Sequence, residues 1–111
     1  MKALITITVF AIVMIASARN GVAADAATNW SHQCASCHGK DGKGDTAMGK
    51  KLGVKDYHDA KVQAAFSDAE MERAIKEGVK TNGKETMKPF AIKLSNADIK
   101  ALAAYIRSFK K

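Results

Sequence analysis

The sequence predicts an all-α fold of several short helices in a single domain. Two stretches carry the prediction, residues 67–77 and 95–110. Each opens on a capping serine and repeats its apolar residues at helical spacing. Size adds a third observation: 111 residues fit one domain. Glycines divide the remaining sequence into short pieces.

Residues 1–24 read as a secretory leader. Lys2 gives a positive start, residues 3–18 are largely apolar, and Val22-Ala23-Ala24 offers the small residues a signal peptidase needs. The apolar run is shorter than the about 20 residues of a spanning helix. Arg19 and Asn20 end it, which favours cleavage over an uncleaved anchor. A cut after Ala24 leaves residues 25–111 as the mature domain, with no stable membrane insertion. It also places that domain in the periplasm or another extracytoplasmic compartment.

Residues 25–33 form a short helix. Asp25 near its start suits the helix dipole. Trp30 lies four residues before Cys34, so the two share a face. Trp30 is assigned to the core, against the last helix.

Cys34-Ala35-Ser36-Cys37-His38-Gly39 follows. C-x-x-C-H is the covalent attachment signature of c-type haem. Two thiols must lie close together and point one way to join two haem vinyl groups, and a two-residue spacer on one turn does this. His38 is then held beneath the iron as an axial ligand. A disulfide is one alternative, because these are the two cysteines of an exported chain. A thioredoxin-like pair needs a βαβ setting, and no strand pattern precedes Cys34. Zinc held by His32, Cys34, Cys37 and His38 would strain a tetrahedron, since structural sites use separated ligand pairs.

Residues 39–44 carry three glycines and form a tight loop around the proximal side. Residues 45–66 are broken by Gly49 and Gly53, with a short helix near 59–66 on the spacing of Val62, Ala65 and Phe66. Tyr57 packs on the haem, reaches a propionate, or belongs to the core.

Residues 67–77 form a helix whose capping box is Ser67-Asp68-Ala69-Glu70. Met71, Ala74 and Ile75 make its apolar face, and Gly78 stops it. Residues 79–94 are a loop stiffened at Thr86-Met87-Lys88-Pro89-Phe90, because Pro89 fixes its own φ and extends Lys88. The helix over 95–110 is capped by Ser95 and carries the stripe Ile99, Leu102, Ile106 and Phe109, with Tyr105 beside it. Arg107, Lys110 and Lys111 suit its C-terminal dipole.

Met48, Met71, Met87, His32 and His58 are the candidates for a sixth iron ligand. Met71 sits on a helix face, where methionine usually fills core. Met48 and His32 lie close in sequence to the proximal side. Met87 is preferred, because its loop is stiffened and well separated from His38. His58 and an open site remain as alternatives.

Charge describes partners rather than fold. The formal net charge of +7 falls to +5 on removal of Lys2 and Arg19, the only charges in residues 1–24. Acids are interspersed with the lysines and no nucleic-acid motif is present, so acidic docking surfaces on redox proteins fit better than nucleic acid. Large core side chains are few, and a domain of this size is marginal alone. The haem therefore acts as a staple, and the haem-free chain is expected to be largely unfolded.

On Cys34–Gly39, Asp41-Gly42-Lys43-Gly44, Met87-Lys88-Pro89-Phe90, and Leu94-Ser95 leading to Ala104-Tyr105-Ile106-Arg107, residues 25–111 resemble a small bacterial class I monohaem cytochrome c. The resemblance implies short helices wrapped around one haem c, covalent through Cys34 and Cys37, with His38 and Met87 as axial ligands. It also implies that Trp30 and Tyr105 sit where the first and last helices cross. Two positions depart from the family. Lys88 separates Met87 from Pro89, and no proline follows the haem motif to orient the proximal histidine. Another backbone carbonyl between residues 45 and 52 is expected to take that role.

The expected function is that of a soluble, monomeric one-electron carrier and not an enzyme. No distal acid–base pair for peroxidase chemistry is evident. A gas-binding or sensor protein with a displaceable sixth ligand is the alternative.

Overall fold

In the computed structural model, which describes residues 21–111 and side chains from Asp25 onward, the chain begins with α1, Gly21–Asn29. The leader expected over residues 1–24 lies outside this description, apart from the backbone of its last four residues. A π-helical turn, Trp30–Cys34, follows α1 and leads into α2, Ala35–His38. The helix expected over 25–33 thus runs on to the end of the Cys-His motif. The Ala35 amide reaches back to the Trp30 carbonyl, the wide spacing that defines a π turn. Gly39, at φ +81°, ends the helix.

A helix that sequence reasoning did not anticipate, α3, spans Ala47–Leu52. Thr46 caps it by accepting from the Gly49 amide, and Gly53 closes it in the left-handed region. Gly49, expected as a break, lies inside the helix, where it allows close approach. Next comes α4, Ala60–Ala64, capped by Asp59 within the short helix expected near 59–66.

The two strongest helical expectations hold. Helix α5 spans Asp68–Glu77 with Ser67 accepting from the Glu70 amide. Helix α6 spans Asn96–Ser108 with a complete box, Ser95 and Asp98 exchanging bonds. At Ser67 only the serine half is formed.

The loop expected over 79–94 is corrected in its first half. Val79–Thr81 and Lys84–Met87 form an antiparallel hairpin, β1 and β2. Asn82 and Gly83 turn it, with φ of 53° and 79°, the pair favoured in two-residue hairpin turns. The register slips between Val79 and Lys80, where Thr86 Oγ1 donates to the Val79 carbonyl. The bulge bends the strand just before Met87.

The core forms where α1, α5 and α6 meet. Trp30, Met71, Ile75, Phe90, Leu94, Ile99, Leu102, Ala103 and Ile106 pack into one cluster. Leu102 is completely buried. The first and last helices cross as expected, with the Trp30 ring 5.8 Å from Tyr105 and 5.1 Å from Phe109.

Candidate functional site

Trp30, Cys34, His38, Tyr57, Met71, Ala74, Ile75, Met87, Leu102 and Ile106 line one cleft. Six of them also belong to the buried core cluster: Trp30, Cys34, Met71, Ile75, Leu102 and Ile106. The cleft and the core are therefore largely the same set of side chains. The structure brings Cys34, His38 and Met87 together here. Cys37 is half-buried on the same turn but outside the lining.

Several contacts hold the Cys-His turn. The Trp30 indole N–H donates to the Gly39 carbonyl at 2.9 Å, tying the π turn to the residue after His38. The Gly44 amide closes on the His38 carbonyl at 2.8 Å. Thr46 Oγ1 donates to the Cys37 carbonyl at 2.7 Å while accepting from Gly49. A β-carbon on Gly49 would stand 2.4 Å from that same carbonyl oxygen, so α3 rests directly on the motif backbone.

The side chains fit a bound haem. His38 Nδ1 is buried without a hydrogen-bond partner. Burial lowers the His38 pKa from its usual value, which favours the neutral imidazole that a metal ligand must be. Burial, followed by the charge of Cys37, pushes the Cys34 thiol up to about 11. Both cysteines are free, so the disulfide alternative is not formed. Among the described residues no group of three or more His, Cys, Asp or Glu gathers to hold a metal, and His32 is exposed. The zinc alternative therefore finds no geometry.

The carbonyl expected between residues 45 and 52 does not accept from His38 Nδ1. Thr46 and Gly49 instead spend their contacts on the backbone of Cys37. Tyr57 packs against the core beside the cleft. It lines the cleft and stacks on His38 with centroids 5.4 Å apart, and it packs edge-on with Trp30 and Phe66. Burial, then the charge of Cys34, raises its pKa.

The other ligand candidates are elsewhere or in other roles. Met48 is exposed. His58 Nε2 pairs with the Asp41 carbonyl and its ring leans on Phe109. Met71 lines the cleft, but it is packed into the core from the inner face of α5. Met87 is half-buried and arrives on the strand that the hairpin turns toward the cleft. The hairpin was not expected, and Asn82-Gly83 is its signal in the sequence.

The family profile of cytochrome c matches residues 23–110. The solved structure of the KustC0563 c-type cytochrome is similar, with 38% identity and a TM-score of 0.71. That match covers 78% of this chain and 99% of the other. A point variant of that cytochrome matches at 37% identity and a TM-score of 0.68, over the same shares. A comparison with the curated proteins found no match.

Proposed function

This chain belongs to the cytochrome c family of c-type haem electron-transfer proteins, and from that premise we propose that it is a soluble, monomeric one-electron carrier of an extracytoplasmic compartment, with His38 and Met87 as axial ligands. The family implies a covalent haem c, and Cys34 and Cys37 have the spacing to hold it. When bound, that haem supplies the redox chemistry by gaining and losing one electron at its iron.

The observation that carries the ligand reading is that His38, on the attachment turn, and Met87, on β2, line one cleft. His38 offers a neutral imidazole. Met87 offers a neutral thioether, which favours the reduced metal and raises the potential. Leu102, Ile106, Ile75 and Trp30 exclude water from the site. Among the described residues no helix is long and apolar enough to cross a membrane.

Lys40, Lys43, Lys50, Lys51 and Lys88 are exposed and flank the two ligand-bearing segments. They would steer the protein to acidic surfaces on its redox partners in small, transient encounters. Exposed Met48 and Leu52 stand beside Lys50 and Lys51 on α3 and give such an encounter an apolar contact.

The test is the visible spectrum of the haem-loaded protein. The oxidised wild type should show the weak far-red sulfur-to-iron band, and Met87→Ala should lose it. Tight carbon monoxide binding by the reduced wild type at neutral pH would instead favour the gas-binding reading.

A further inference from the structure

His38 gets no hydrogen bond to Nδ1, so packing must hold its ring. One wall of that packing is Tyr57, nearly parallel to the imidazole at 22°. Tyr57 is fixed at both ends of its backbone. Its amide donates to the Gly42 carbonyl at 2.9 Å, and its carbonyl accepts from Gln63 Nε2 at 2.8 Å.

Gln63 is the buried polar residue of the described chain, only 3% exposed. Its Nε2 also donates to the Ile106 carbonyl on α6 at 2.9 Å, and its Oε1 accepts from Arg107 Nη1 at 3.1 Å. Arg107 is itself committed. Its Nε donates to Asp68 at 2.8 Å, its Nη2 donates to the Phe66 carbonyl at 2.6 Å, and its guanidinium lies over the Phe66 ring. Phe66 in turn meets the Tyr57 ring edge-on at 6.1 Å.

A buried amide with every group used is costly to disturb and has one geometry. A bridge serving only to join α4 and α6 could end on any carbonyl. This one ends on the residue whose ring stacks on the iron ligand. We propose that Gln63 and Arg107 are positioning residues for the His38 imidazole, acting through Tyr57. They set the plane of the ring and hence its overlap with the iron orbitals. The inference rests on the reading of His38 as an axial ligand.

The experiment uses the haem-loaded protein. Proton NMR of the ferric form reads the spread of the haem methyl resonances, which reports the axial ring plane. A redox titration reads the midpoint potential, and a melt reads stability. A wild-type spectrum without imidazole-ligated low-spin iron would overturn the ligand reading and this inference together. With that ligation present, the variants test the inference alone.

Gln63→Leu is expected to move both the methyl pattern and the potential. In a Tyr57→Leu background the same change should move neither further. A lowered melting temperature with unchanged pattern and potential would reduce Gln63 to a structural bridge and overturn the proposal. So would an equal shift with and without the Tyr57 ring. If Gln63→Leu fails to load haem, Arg107→Lys takes its place. It keeps the charge beside Asp68, gives up the forked contact with Gln63, and should give a smaller shift that again depends on Tyr57.

Discussion

Gly78 lies flat against the backbone of Met87. A β-carbon on Gly78 would stand 2.5 Å from the Met87 carbonyl oxygen and 2.9 Å from the Pro89 nitrogen. Gly78 also has φ 78° and ψ −179°, a region essentially reserved for glycine. The end of α5 and the end of β2 are therefore in direct backbone contact. Gly78→Ala is expected to cost about 1–3 kcal/mol in strain alone. It should also push Met87 outward, so the far-red band of the oxidised haem protein should weaken along with the denaturation midpoint.

Gly49→Ala acts on the Cys37–His38 turn. The added methyl would meet the Cys37 and Gly44 carbonyls at 2.4 and 2.5 Å. Overpacking of this kind typically costs about 1–3 kcal/mol. Because α3 rests on the attachment turn, the yield of covalently bound haem should fall as well. Mass spectrometry of the product measures the loaded fraction.

The two serine caps differ in completeness. Ser95→Ala breaks one bond of a closed box and leaves the backbone N–H of residue 95 on the Asp98 carboxylate, whereas Ser67→Ala breaks the one capping bond its helix has. A helix cap is worth typically about 1 kcal/mol. Ser95→Ala and Ser67→Ala should therefore each lower stability by about 1 kcal/mol in parallel denaturant titrations.

Most of the core lines the cleft, so removing haem removes the partner of those side chains. The haem-free chain is expected to show little cooperative melting and weak helical circular dichroism. A sharply melting, fully helical apoprotein would contradict this.

Lysine steering predicts salt-sensitive turnover. Exposed charges are screened beyond about 10 Å at 0.1 M salt. Electron-transfer rates with an acidic partner should fall as salt rises, and Lys88→Glu should lower them at low salt. The Lys50–Asp45 pair at 3.0 Å is exposed on both sides, so it holds Lys50 only weakly. Rates indifferent to salt would argue against steering.

The helices with caps and stripes were legible because their signals are local: Ser67 and Ser95 at the starts, and Met71, Ile75, Ile99, Leu102 and Ile106 on the buried faces. The attachment turn was legible for the same reason, since its chemistry lies within five residues. The hairpin was hidden behind two very short strands, exposed except at Thr86 and Met87, that lack a hydrophobic pattern. Helix α3 was hidden because Gly49 looks like a breaker until the Cys37 carbonyl is seen beside it. The Gln63 bridge had no sequence signal. It joins residues 43 apart, and only the fold brings Ile106 to Gln63.

The crossing of Trp30 with Tyr105 and Phe109 joins the two ends of the described chain. Trp30 stands on the turn that leads into Cys34, so seating α6 on Trp30 and closing the cleft beside Cys34 are one event. In the haem-free chain, expected to be largely unfolded, the thiols would stand open to the machinery that attaches the porphyrin, and burial would follow loading instead of obstructing it.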